Sequence, residues 1–241
     1  MPEHALLRDV HLRGSAQVPT VALTFDDGPN GACTAGVLDA LRSAGAPATF
    51  FLLGAHVARG TADALLARMV REGHEIGVHG WAHGIRRLFW SDLTATDLAR
   101  TVAAITGALA RQGLPPSPLR FFRPPYGFLI GPAARAAHSA QMAVVEWTVS
   151  VEDWRNTRTA AELTGDLVDT LRAGDVVVLH DGNRMQQDSD ERCLDRPLAA
   201  AVVHDLVPGL AARGLRVAPL ADVLGMTPRD AIAVDSATPS P

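Results

Sequence analysis

From residue 18 to residue 224 the sequence alternates short apolar runs with longer stretches of helical period, and that alternation limits the folds open to it. Residues 18–25, 48–53, 75–78, 119–122, 142–149, 175–179 and 215–218 are of strand type. Between and after them, residues 34–44, 61–72, 133–140, 159–172, 197–213 and 220–224 are predicted helices. A longer helix, capped by Ser91 or Asp92, runs to Arg111, and glycines such as Gly45, Gly73, Gly113 and Gly174 close several of these segments. Strands separated by helices of this length pair in parallel through crossovers. About seven such units predict an α/β fold closed as a barrel rather than an open sheet.

With 241 residues and 47% hydrophobic content, the chain can bury one sizeable core. Residues 1–17 have no clear period and form a lead-in segment, residues 18–225 a single catalytic domain, and residues 226–241, with little to bury, a disordered tail. A net charge of -4 with the bases dispersed among acids excludes a nucleic-acid groove or a polybasic membrane patch. No apolar run approaches the roughly 18 residues of a membrane span. The N-terminus lacks a secretory apolar region, which predicts a cytoplasmic chain as written, or an extracellular or cell-envelope one where a leader has been removed. Cys33 and Cys193 lack metal-site spacing and are expected to be structural thiols, with a single disulfide left open.

In α/β folds of this kind the functional groups gather beyond the C-terminal ends of the strands. Those ends carry Asp26-Asp27 after the first strand, His79-Gly80-Trp81-Ala82-His83 after the third and Arg123-Pro124-Pro125-Tyr126-Gly127 after the fourth. The fifth delivers Ser150-Val151-Glu152-Asp153-Trp154 and the sixth His180-Asp181. Adjacent side chains on an extended backbone diverge, so Asp26 and Asp27 can hold different tasks. His79 and His83, four apart, share a face if the chain turns helically. With Asp27 they make a His-His-Asp set with open positions, suited to one divalent ion: zinc first, with cobalt, nickel, manganese or iron as alternatives.

The pattern resembles the polysaccharide deacetylase family, also called the NodB-homology domain or carbohydrate esterase family 4. Its opening signature stands unchanged in Thr24-Phe25-Asp26-Asp27-Gly28-Pro29. Its later motifs are similar to His79 to His83, Arg123 to Gly127, Asp153-Trp154 and Val178-Leu179-His180-Asp181, in the family's order. The resemblance implies a distorted (β/α)7 barrel of NodB-homology type and metal-dependent removal of N-acetyl groups from N-acetylglucosamine-containing poly- or oligosaccharides. It implies Asp27, His79 and His83 as metal ligands, Asp26 as general base and His180 as general acid, donating from the opposite rim. Arg123 would orient Asp26, and the Tyr126 N–H would help hold the oxyanion. Tyr126, Trp154, Asp153 and Leu179 are the expected substrate contacts.

The chain departs from the family pattern twice. Gly80 stands where a Ser or Thr hydroxyl would brace the second histidine, and Ser150 stands where the first Asp of Asp-x-x-Asp-Trp is expected. If that Asp supports the general acid, His180 has a weaker partner or Asp153 substitutes. The competing functions are hydrolysis of another non-peptide C–N bond, as in a deformylase or cyclic amidase, an iron oxygenase using the same triad, and a glycan binder with impaired catalysis. His4, His11, His56, His74, His138 and His204 are read as surface or supporting residues, Phe89 and Trp90 as seating the following helix, and residues 180–197 as a polar loop beside the acid that can shape substrate choice.

Overall fold

Every strand pairing in the structure, a computed structural model describing residues 10–155, 157–183, 193–194 and 196–226, is parallel. In chain order the strands are β1 (Val10–His11), β2 (Thr20–Asp26), β3 (Thr49–Leu52), β4 (Glu75–Val78), β5 (Phe121–Phe122), β6 (Ala143–Val145), β7 (Val149–Ser150), β8 (Val176–His180) and β9 (Arg216–Val217). The helices are α1 (Gly31–Ala44), α2 (Gly54–Val57), α3 (Asp63–Arg71), α4 (Ser91–Arg111), α5 (Gly131–Ser139), α6 (Ala160–Thr170), α7 (Leu198–Ala212) and α8 (Leu220–Val223). Across the sheet the order is β1-β6-β5-β4-β3-β2-β8-β7, and β9 pairs separately with β2.

The sheet is strongly curled, and one side chain measures the curl. Arg123, at the end of β5, donates to Asp26 on β2, three places away in the sheet. On a flat sheet those strands would lie about 14 Å apart, beyond the reach of an arginine. The architecture is therefore a distorted (β/α) barrel, with its end strands β1 and β7 unpaired to one another among the described residues.

Alternation along each strand sorts side chains to two faces. Val21, Leu23 and Phe25 of β2 pack outward in the main core with Leu38 and Leu41 of α1 and Val202 and Leu206 of α7; Phe25 stacks on Phe50 with centroids 5.2 Å apart. Each such fully buried side chain contributes about 1.5–3 kcal/mol. Ala22, Phe51, Phe121, Val145 and Val176 form a second cluster on the other face, closed by Leu220, Ala221 and Val223 of α8. Thr24 and Asp26 continue that inner face, so β2 rises from an apolar floor to a polar rim.

Several expectations are revised. The lead-in segment supplies β1, which pairs with β6. The run expected as one strand over residues 142–149 divides into β6 and β7, because Thr148 turns its hydroxyl to the backbone of Val176, donating to the carbonyl and accepting from the N–H. Neither Ser91 nor Asp92 caps α4: the cap position is Trp90, and Thr94 donates its hydroxyl to the carbonyls of Arg87 and Trp90. Cys33 and Cys193 are not thiols but a disulfide, with Cα atoms 4.4 Å apart; a separation of 160 residues hides the pairing from any local reading. Met226, assigned to the tail, packs against the inner cluster and donates its N–H to Ala221. Residues 227–241, the rest of that tail, lie outside the described residues, as does His4.

Candidate active site

Strand β2 ends at Asp26, and Asp27 turns at once into the left-handed region (φ 73°), which separates the two carboxylates. Asp26 stays on the inner face, where its Oδ1 accepts from Arg123 Nη1 at 2.8 Å. The same fully buried guanidinium donates to Thr24 Oγ1 and to the carbonyls of Val145 and Glu146. Burial alone would raise the Asp26 pKa; Arg123, with His79 and His180, overcomes it and holds the carboxyl below its ordinary range. Asp26 is the register partner of His180 on β8. The histidine expected on the opposite rim is thus on the neighbouring strand.

His79 leaves β4 with its Nδ1–H donated to the Arg123 carbonyl at 2.8 Å, which leaves Nε2 as the nitrogen that can serve as a ligand. That Nε2 lies 3.5 Å from Asp27 Oδ1, as does His83 Nε2. Ligand atoms from the three residues fall within 4.8 Å of one another. Asp27 Oδ1 is buried and has no hydrogen-bond partner among the described residues. Burial also lowers the His83 pKa to about 4, which keeps that ring neutral. A buried carboxylate oxygen without a hydrogen bond among the described residues, beside two imidazole nitrogens, is a donor set for a cation, and these residues can hold a metal ion.

The Asp27 backbone is fixed from two sides. His56 donates Nδ1–H to the Asp27 carbonyl at 3.0 Å. A Cβ at Gly182 would come within 2.2 Å of that oxygen, so only glycine allows the approach. Gly80 has φ 90°, where a Ser side chain would be strained although a Cβ would make only ordinary contacts, to Pro125 and the Ala82 carbonyl. His83 Nδ1 is left without a hydrogen bond among the described residues, and the Tyr126 ring packs edge-on against the imidazole at 4.1 Å.

On the other side of Asp26, His180 rests on Asp153. Asp153 Oδ2 accepts the His180 backbone N–H and Oδ1 accepts from the ring Nδ1, and Trp154 packs edge-on against the imidazole at 5.0 Å. Asp153 is 2% exposed. Asp181 points away from the cavity, fully buried beneath Gly28, where it accepts from Thr34 Oγ1; burial raises its pKa to about 7.

These groups surround one cavity of about 410 Å³. Asp26, Asp27, His79, His83, Tyr126, Trp154 and His180 all line it. Leu179 does not: strand alternation buries it in the outer core, and its neighbour Val178 faces the cavity instead. Asp153 is committed to His180 rather than presented to a ligand. Trp147, Val178, Asn183 and Arg196 also line the cavity and were not singled out in their own right from sequence. Asn183 and Arg196 bracket the loop flagged beside His180, most of which lies outside the described residues. Trp147 lies just past the end of β6 at Val145, a strand end that the expectation of one strand over residues 142–149 hid.

A parallel barrel that carries an Asp-His-His group able to hold a cation, beside an arginine-anchored carboxylate and a carboxylate-backed histidine, has the parts of a hydrolase at the C-terminal ends of its strands. The chain belongs to the polysaccharide deacetylase family, whose model, described as Polysaccharide deacetylase, matches residues 13–145. It is similar to a chitooligosaccharide deacetylase of Sinorhizobium fredii, with 33% identity over 205 residues, 84% of this chain and 90% of that protein. Among solved structures, a peptidoglycan N-acetylglucosamine deacetylase superposes with a TM-score of 0.76 at 24% identity, covering 94% of this chain and 98% of that one, a likeness of fold. A family 4 acetyl xylan esterase of Clostridium thermocellum in complex with a cobalt ion gives 0.70 at 28% identity, covering 86% and 93%.

Proposed function

We propose that this chain is a metal-dependent N-deacetylase that hydrolyses N-acetyl groups on N-acetylglucosamine-containing oligo- or polysaccharides and releases acetate. The observation that carries this reading is the flanking of Asp26 by the Asp27-His79-His83 group on one side and by His180 on the other, within one cavity. The similarity to a chitooligosaccharide deacetylase supports the substrate class.

Asp27, His79 and His83 would hold a divalent ion, zinc by the nitrogen-rich character of the set, and such an ion lowers the pKa of bound water and polarises a carbonyl. Asp26, kept ionised by Arg123, takes the proton from the attacking water. His180, its Nδ1–H fixed on Asp153, offers its other nitrogen to the cavity and gives a proton to the departing amine. The Tyr126 backbone N–H is placed in this reading to share the developing charge on the acetamide oxygen. The Trp154 and Tyr126 rings flank the sugar.

The disulfide argues for work in an oxidising compartment, where cell-wall glycans are also met. No described helix is long and apolar enough to cross a membrane.

The test is acetate release from N-acetylglucosamine oligomers by metal-stripped protein given zinc, cobalt or nothing, with Asp26→Asn and His180→Ala alongside and acetylated xylan as the competing substrate. Metal-dependent release from the oligomers, abolished by both substitutions, is expected. Release from xylan alone would move the activity to O-acetyl esters, as the esterase relative suggests. No release from either, with one ion bound per chain, would overturn the deacetylase reading.

A further inference from the structure

Two segments that wall the cavity continue directly into solvent-exposed aromatic side chains. His83 is followed by the 3-10 turn Ile85–Phe89 and then Trp90, while Tyr126 and Gly127 are followed by Phe128. Phe89, Trp90 and Phe128 are 50%, 59% and 40% exposed. They also meet one another: the Phe89 ring lies 6.0 Å from Phe128 and 6.3 Å from Trp90. Ile85 and Leu93 add exposed apolar surface beside them.

Seating the following helix does not explain these rings. Within that turn Leu88 is the residue that is buried, at 4% exposed. Arg87 pairs with Asp97 of α4, and Thr94 donates to the carbonyls of Arg87 and Trp90. The turn is docked by Leu88, Arg87 and Thr94, and the aromatic rings face outward. Contiguous exposed apolar surface of this kind marks a binding surface.

We propose that Phe89, Trp90 and Phe128 form a stacking platform for sugar rings of the glycan beyond the unit held over Asp26, so that the enzyme is built for oligomers rather than single sugars. The inference rests on the deacetylase reading above and extends it to chain length. The occupant is argued from the chain: Phe128 directly follows the cavity-lining Gly127, and the Phe89 ring lies against Phe128. Pyranose rings with equatorial substituents present axial C–H faces, which suit aromatic surfaces. The rings are tilted by 48° and 67° to one another, so each presents its own face.

The experiment compares kcat/KM for N-acetylglucosamine oligomers of increasing length in wild type, Phe89→Ala, Trp90→Ala, Phe128→Ala and Trp90→Phe, with circular dichroism melting of each. The wild type is expected to favour longer oligomers. Each alanine variant should lose roughly threefold to tenfold on the long oligomers through KM while matching wild type on the shortest that is turned over. Trp90→Phe should retain the preference.

An unchanged length profile in all variants, or a uniform loss across lengths with a lowered melting point, would overturn the platform while leaving the deacetylase reading intact. If the wild type releases no acetate from any oligomer, the deacetylase reading fails by itself. The platform is then judged by titrating the longest oligomer against wild type and Trp90→Ala in a calorimeter: equal or absent binding overturns it and weaker binding in the variant upholds it. Wild-type dimerisation that Trp90→Ala abolishes, seen in sedimentation, would assign the patch to self-association and overturn it.

Discussion

Asp153 spends both of its carboxylate oxygens on His180, one on the backbone N–H and one on the ring Nδ1, each at 2.8 Å. Burial disfavours a charged ring there, yet Asp153, with Asp26 and Asp27, raises the His180 pKa above its ordinary value. The support that Ser150 lacks the chemistry to give therefore comes from three residues later. Among the described residues, Ser150 accepts from the Glu152 N–H.

Replacing Asp153 by Asn should leave the fold intact and lower kcat by about 10²- to 10⁴-fold. Because Asp153 raises the His180 pKa, its loss should also shift the alkaline limb of the pH–rate profile to lower pH. Ser150→Ala should stay near wild type. Acetate release measured across pH for both variants checks this, and an Asp153→Asn enzyme of normal kcat would remove Asp153 from the proton-transfer machinery.

Arg123 is wholly buried and ties β2 to the end of β6 by hydrogen bonds to Asp26, Thr24 and the Val145 and Glu146 carbonyls. Arg123→Ala strands a buried carboxylate and should cost about 3–5 kcal/mol of stability. Urea unfolding of the metal-free protein gives the number. A loss below about 1 kcal/mol would mean that water satisfies Asp26 instead.

His56 holds the Asp27 carbonyl without reaching the cavity. His56→Leu should weaken zinc binding by about 10- to 100-fold with the stoichiometry still one ion per chain, as outer partners of metal ligands do. Isothermal titration separates this from a lost ligand, for which His83→Ala is the control. Unaltered affinity would show that Gly182 packing alone sets Asp27.

His74 gives the fold a pH dependence unrelated to catalysis. Its Nδ1 accepts the Ala48 N–H, and burial lowers its pKa from 6.5 to about 4. The folded protein therefore binds this proton less readily than the unfolded chain. Stability contributed by the neutral ring is complete above pH 6.5 and falls as pH drops toward 4, by up to about 3 kcal/mol. His74→Asn should flatten that part of the curve in denaturant titrations; an equally steep fall in the variant would assign it to other groups.

The fold and the chemistry were legible to the extent that they lay in contiguous segments. The β-run into Asp26-Asp27, the His79–His83 spacing and the apolar run into His180 each announce a strand end, and parallel crossovers bring such ends together. What stayed hidden depends on pairs distant in sequence. The carbonyl of Asp27 needs His56, the Cβ-free approach needs Gly182, and Cys33 needs a partner 160 residues away. β1 is two residues long and becomes a strand only because β6 offers an edge. Leu179 and Val178 differ by one step of alternation, which a motif match does not resolve.

The Cys33–Cys193 bond makes the body of the barrel a closed covalent ring. Strands β3 to β8, with the helices between them, all fall inside it. A protease that severs any one exposed loop within that ring opens it without releasing a fragment, and both new ends stay attached to the same molecule. A single nick there is thus an event within one molecule, and the pieces can re-form their contacts without having to find each other by diffusion.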